Sequence, residues 1–178
     1  MARPREFEID QAIEKAMHLF WQLGYHATNL PELLTAMEIS RGSFYKAFDS
    51  KKDVFLRALA LYEMRNVTPG IALLEDASLS GQEAISRLFG SAQQAIEDGD
   101  KRGCLLCSAA AETAYHDAEI AQAVNTQLNA LTGAFAMALS RGTSLPNIPT
   151  ADQKAEAKRL AQRYVGLRVM QRSGVRTV

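Results

Sequence analysis

Apolar side chains recur at helical spacing along nearly the whole chain. Ile13, Ala16, Met17, Phe20 and Trp21 form an i, i+3, i+4, i+7 stripe, which predicts a first helix capped by Asp10 and stopped at Gly24. Asn29, with Pro31 in the first turn, opens a short second helix carrying Leu33, Leu34 and Met37, and a tight break is expected at Glu38-Ile39. Ser40 caps a third short helix from Arg41 to about Phe48. Ser50 caps a long fourth, with Asp53 at the reciprocal capping position and Val54, Phe55, Ala58, Leu59 and Tyr62 as its stripe.

Farther on, Thr68-Pro69 is expected to end that helix and open a short fifth one through about Ala77. Ser80-x-x-Glu83 is a capping box for a sixth helix carrying Ile85, Leu88, Phe89, Ala92 and Ile96. Asp98-Gly99-Asp100 breaks it, and residues 103–114 form a very apolar seventh. Asp117 caps an eighth helix through about Leu139, and 142–149 is a loop. Thr150-x-x-Gln153 opens a ninth toward Arg172, and the end at Ser173–Val178 suggests no further module. Strict alternation over five residues is absent, as is any internal repeat. The expected fold is all-α, about nine helices, with a three-helix N-terminal domain over 1–50 and a helical body over 51–178.

Composition supports this pattern. The 178 residues include 28 alanines, a strong helix former that is depleted in strands, and only 11 Gly and 5 Pro. Two cysteines cannot build a secreted disulfide framework, the N-terminus lacks a signal-peptide core, and no apolar run approaches the ~18 residues that span a bilayer. A cytoplasmic protein without a membrane partner is expected.

Charge is balanced, 20 Lys+Arg against 20 Asp+Glu, which argues against coating nucleic acid through bulk charge. It is distributed unevenly, however. Arg41, Lys46, Lys51, Lys52 and Arg57 face only Asp49 and Asp53 in their stretch, while Glu75 to Asp100 has six carboxylates against Arg87. Residues 152–176 carry seven cations against two carboxylates, with no evident partner in the sequence.

Two short helices joined by a tight turn make a helix-turn-helix, whose second helix enters the DNA major groove. On the third helix, Phe44, Ala47 and Phe48 share an inward face, while Gly42, Tyr45 and Lys46 point outward with Arg41 and Ser43 in the first turn. Tyr and Arg reach base edges, and first-turn hydroxyls and amides suit phosphate. Glycine inside a helix costs about 0.5–1 kcal/mol relative to alanine, a cost that close backbone approach to DNA at Gly42 would rationalise. Arg3 and Arg5 flank Pro4 in an extended arm that would follow the minor groove.

The stretch Gly24-Tyr25-x-Ala27-Thr28 … Ile39-Ser40-Arg41-Gly42-Ser43-Phe44-Tyr45-Lys46-x-Phe48-x-Ser50-Lys51 resembles the TetR family of bacterial transcriptional repressors, over about residues 9–58. The resemblance implies a homodimer on a palindromic double-stranded operator, with nucleoid association when bound. Thr28 and Lys51 would hold phosphates, and Arg41, Gly42, Ser43, Tyr45 and Lys46 would face the operator. It implies pairing of the last two long helices, for which Leu128, Leu131, Phe135 and Leu139, with Leu160, Tyr164, Leu167 and Met170, supply an apolar stripe. It also implies a pocket for an unknown small-molecule effector among the fourth to eighth helices. Candidate lining residues are Tyr62, Phe89, Gln93, Glu112, Tyr115, His116 and Met137, together with Cys104 and Cys107.

Arg102-Gly103-Cys104-Leu105-Leu106 resembles a branch of the family containing electrophile- and oxidant-sensing repressors. Near a helix start and beside Lys101-Arg102, Cys104 could ionise and react as a thiolate, while small apolar filler remains the alternative role. A zinc site would need two more ligands, and only His116 lies nearby at unusual spacing, so no metal is expected. With no paired nucleophile and base among His18, His26 and His116, and no phosphate loop, neither an enzyme nor a cofactor is expected. The remaining alternative, a helical protein–protein adaptor, has no need for the polar face from Arg41 to Lys51.

Overall fold

The computed structural model describes residues 4–141 and 150–174, with side chains from residue 9 onward. Its elements are α1 (Pro4–Leu23), α2 (Leu30–Met37), α3 (Arg41–Ala47), α4 (Lys51–Tyr62), a π-helical turn (Glu63–Val67), α5 (Thr68–Glu75), α6 (Gly81–Glu97), α7 (Leu105–Glu112), α8 (Ala118–Ser140) and α9 (Ala151–Ser173). No strand occurs among the described residues. The expected 142–149 loop and Arg3 lie outside them.

Capping sets most boundaries. Asn29 and Glu32, Ser80 and Glu83, and Thr150 and Gln153 form reciprocal capping boxes, while Ser40, Ser50 and Asp117 accept from backbone N–H groups of their first turns. The fifth helix ends at Glu75 rather than near Ala77, the seventh spans Leu105–Glu112 rather than 103–114, and two further boundaries differ more. Helix α1 begins at Pro4, so Asp10 lies inside it and Arg5 belongs to a helix rather than an extended arm. Proline is favourable there because its φ is preset and the missing N–H would have had no helical partner. Likewise Thr68-Pro69 does not break the fourth helix cleanly. The chain stays helical through the π turn of Glu63–Val67, and Pro69 sits in the first turn of α5.

Two cores share the burial. The first joins Met17, Phe20, Leu33, Phe44 and Phe55 of α1–α4 to Leu105 and Leu106 of α7 and Ile120 of α8. Phe20 and Phe55 meet edge to face at 4.9 Å. The second joins Leu74, Leu88, Phe135, Ala157 and Leu160 of α5, α6, α8 and α9. Leu131, Phe135 and Leu160, expected at a dimer seam, are thus buried inside one subunit, whereas Met137, Val169 and Met170 are exposed. The α6–α8 crossing is close: a side chain at Gly81 would collide with the Ala138 carbonyl.

Candidate DNA-reading head and effector cavity

The turn before α3 is built by three residues. Glu38 adopts a left-handed conformation (φ 58°), and its N–H returns to the Leu34 and Thr35 carbonyls. Such a backbone costs an L-residue about 1–2 kcal/mol, and the exposed Glu38 side chain pairs with Lys15 at 2.5 Å. Ser40 then starts α3. Its Oγ accepts from the Ser43 N–H at 3.1 Å and donates to the Ser43 hydroxyl at 3.0 Å.

Phe44 and Phe48 lock α3 inward, 1% and 3% exposed with rings 5.4 Å apart. Arg41, Gly42, Ser43, Tyr45 and Lys46 are all exposed on the opposite side, with Tyr45 packed edge-on against Phe44 at 5.3 Å. Arg41 and Lys46 have no ion-pair partner among the described residues.

The two residues expected at phosphates are placed differently. The Thr28 side chain is fully buried and its hydroxyl donates to the Gly24 carbonyl at 2.7 Å, so it is not available to a phosphate. Lys51 is half-buried: its Nζ donates to the Thr28 carbonyl at 2.6 Å and lies 4.3 Å from the Tyr25 ring centre. Burial lowers the pKa of that ammonium. Lys52 faces the body, paired with Glu119 at 2.9 Å and Asp117 at 3.1 Å.

A cavity of about 330 Å³ opens where the end of α4, the π turn, α5 and the start of α7 meet α8 and α9. Of the candidate lining residues, Tyr62, Cys104 and Cys107 line it. Phe89 and Gln93 instead line a shallow groove with Arg163, Gly166 and Met170, and Met137 lines another beside Ala157. Tyr115 and His116 are exposed beyond the end of α7, Tyr115 at 91%. Glu112 lies between body and head rather than at the cavity.

The cavity residues missed in the sequence are chiefly Arg168, Gln127, Asn66 and Tyr164. Arg168 Nη2 donates to the Gly103 carbonyl at 2.7 Å, and the Tyr62 hydroxyl lines the same cavity. The Cys104 thiol is lowered to about 6, first by a hydrogen bond from Cys107, then by the Tyr62 hydroxyl and the Arg168 charge, against burial. Cys107 is pushed up, because its thiol serves as the donor and is itself desolvated.

Cavity and head are joined at several points. Cys104 caps α7 at one end; at the other, the Glu112 carboxylate accepts from the N–H groups of Tyr25 at 2.9 Å and His26 at 3.4 Å. His26 Nε2 lies 3.0 Å from the Glu112 carbonyl. Trp21 Nε1 donates to the Gly103 carbonyl at 3.1 Å, and Arg102 stacks over the Trp21 ring at 4.0 Å. Arg172 donates to the carbonyls of Trp21 at 2.9 Å and Gln22 at 3.3 Å, closing the end of α1 from α9. Thus two of the unassigned cations of α9, Arg168 and Arg172, serve backbone carbonyls.

Residues 12–58 match the family described as bacterial regulatory proteins, tetR family. The chain is 32% identical over 145 residues to the uncharacterized HTH-type transcriptional regulator YezE of Bacillus subtilis (strain 168), covering 79% of this chain and 73% of that protein. It is 33% identical over 104 residues to the HTH-type transcriptional repressor BdcR of Escherichia coli (strain K12), covering 58% of this chain and about half, 53%, of that protein. Among solved structures, a cysteine mutant of the TetR family transcriptional regulator CifR, complexed with 26 bp double-strand operator DNA, superposes with a TM-score of 0.82. Identity is 30%, over 97% of this chain and 91% of that one.

Proposed function

The chain belongs to the TetR family of bacterial regulatory proteins and is a DNA-binding transcriptional regulator; on that premise we propose that it is a repressor released from a palindromic operator when a small molecule enters the Tyr62–Cys104–Arg168 cavity. One α3 per subunit of a homodimer reads one half-site, with the two helices about 34 Å apart, one turn of DNA. Arg41, Tyr45 and Lys46 reach the operator, and Gly42 lets the backbone approach it closely. Lys51 at the start of α4 lies near the phosphates while bracing the Thr28 carbonyl. The subunits pair through α8 and α9, whose outer faces leave Met137, Val169 and Met170 exposed. Such a regulator works in the cytoplasm, on the nucleoid.

The observation that carries this reading is the two-sided α3, with Phe44 and Phe48 buried against exposed Arg41, Tyr45 and Lys46. A helical adaptor has no use for that face. The route from cavity to head is short: α7 has eight residues, about 12 Å of rigid helix, between Cys104 and Glu112. A ligand that shifts the Cys104 end moves the Tyr25–His26 turn, while the π turn of Glu63–Val67 transmits to α4 any change at Asn66 and Val67 on the cavity wall.

Gel shifts on the promoter beside its own gene test the assignment. Tyr45→Ala and Lys46→Ala should each weaken binding, and undiminished binding by both variants overturns the recognition face.

The lowered Cys104 thiol, with Cys107 three residues on along the same cavity wall, supports a second reading, release by thiol oxidation. Hypochlorous acid would transfer chlorine to the Cys104 thiolate, giving a sulfenyl chloride and hydroxide. The Cys107 sulfur then displaces chloride, its proton goes to hydroxide as water, and a Cys104–Cys107 disulfide remains. Release by hypochlorous acid should vanish in Cys104→Ser, and its persistence there removes Cys104 from the mechanism.

A further inference from the structure

The cavity wall has an electrostatic asymmetry that its apolar lining conceals. Of the residues lining it, Arg168 alone carries a fixed charge, and none is a carboxylate. Arg168 is half-buried on α9 and forms no ion pair with any described carboxylate. A cation withdrawn from water favours anions beside it; the Cys104 thiolate lies within its electrostatic reach, but no carboxylate engages the paired N–H groups of the guanidinium. Its acceptor, the Gly103 carbonyl, leaves further guanidinium donors unused.

A second observation points into the same space from α8. Gln127 is only 3% exposed, lines the cavity, and its Oε1 has no hydrogen-bond partner. A buried amide oxygen of this kind calls for a donor. Between these polar points the wall is apolar, with Leu73, Leu88, Leu128 and Leu131. The volume, about 330 Å³, lies at the small end of ligand pockets.

We propose that the cavity binds a small organic monocarboxylate with an apolar body and a distal hydroxyl, its carboxylate on Arg168 and its hydroxyl donating to Gln127 Oε1. This rests on the reading of the cavity as the effector site, and it names the chemical class of the effector. A carboxylate offers Arg168 the bidentate partner that a single carbonyl does not supply. It also competes with the Gly103 carbonyl for the guanidinium, loosening the contact shared with Trp21.

The test uses the full-length protein, with the fluorescence of Trp21, its single tryptophan, as reporter. Phenylacetate and 4-hydroxyphenylacetate are titrated beside the neutral 4-hydroxyphenylacetamide. The hydroxy acid should bind saturably and at least tenfold more tightly than the amide, the scale of one charge-assisted contact. Arg168→Gln, which keeps a donor for Gly103, should lose that preference, and Arg168→Lys should recover part of it. Gln127→Leu should weaken 4-hydroxyphenylacetate but not phenylacetate. Equal binding of acid and amide, an unchanged Arg168→Gln protein, or no saturation by either acid at millimolar concentration overturns the proposal. Gel shifts separate this failure from that of the repressor reading. An uncharged compound that fills the cavity and releases the operator leaves the repressor standing, whereas a chain that binds no operator does not.

Discussion

Trp21 and Arg168 share one acceptor: the Gly103 carbonyl receives Trp21 Nε1 at 3.1 Å and Arg168 Nη2 at 2.7 Å. The first donor belongs to the DNA-reading head and the second to the cavity wall. Gly103 has φ +66°, and a side chain there would lie 2.6 Å from the Arg168 carbonyl, so the junction admits glycine alone. Trp21→Phe keeps an aromatic ring but removes the N–H and part of the buried indole. It should cost about 2–3 kcal/mol, roughly 1 for the hydrogen bond and the rest for the lost packing, read from the urea midpoint.

Glu112 couples the two halves by a second route. Glu112→Ala removes the carboxylate on which the Tyr25 and His26 N–H groups converge. Operator affinity should fall about tenfold, following the ~1.5–3 kcal/mol of hydrogen bonds to a charged group, with helix content by circular dichroism unchanged. Glu112→Gln keeps one acceptor oxygen and should fall between.

Thiol titration gives a pH prediction. Thiolate absorbance should rise with a midpoint of about 6, and Cys104→Ser should abolish that step. Cys104 has a folded pKa below its ordinary value, so between about 6 and 9 the unfolded chain binds the extra proton and stability rises with pH. This contribution is lost as pH falls through about 6. Cys107, pushed the other way, makes stability fall again above the ordinary thiol range. Melting curves of Cys104→Ser should lack the rise.

Gly81→Ala tests the α6–α8 crossing. Its methyl would meet the Ala138 carbonyl, a backbone atom that cannot rotate aside. The expected cost is about 1–3 kcal/mol, the range for overpacking, seen as a lower melting temperature.

The N-terminal head was legible because its signals are local. Asn29, Ser40 and Ser50 announce helix starts through their own side chains, and the break at Glu38-Ile39 falls between two apolar stripes. The extent of α1 was not legible, since Asp10 is a good cap that Pro4 pre-empts one turn and a half upstream. The cavity was harder, because its wall is set by how distant helices cross. Tyr62 and the two cysteines could be picked by type, but Arg168 sits in a helix with cations around its circumference, so no periodicity marks it as facing inward. Tyr115 and His116 look like ligand residues by chemistry, yet they fall in the turn beyond α7 and face solvent.

The fate of the basic residues bears on how the molecule finds DNA. Arg168 and Arg172 are tied to carbonyls, Arg159 is paired with Glu156, and Lys52 with Asp117 and Glu119, whereas Arg41 and Lys46 carry unpaired charge at the tip of the head. With zero formal net charge, and with seven carboxylates against five cations in residues 1–50, the protein offers DNA no broad attraction. The pull falls to the exposed Arg41 and Lys46 at short range, so DNA captures α3 only when it is already turned toward the groove. Salt at physiological strength, with a Debye length of about 8 Å, confines that capture to the last moments of approach.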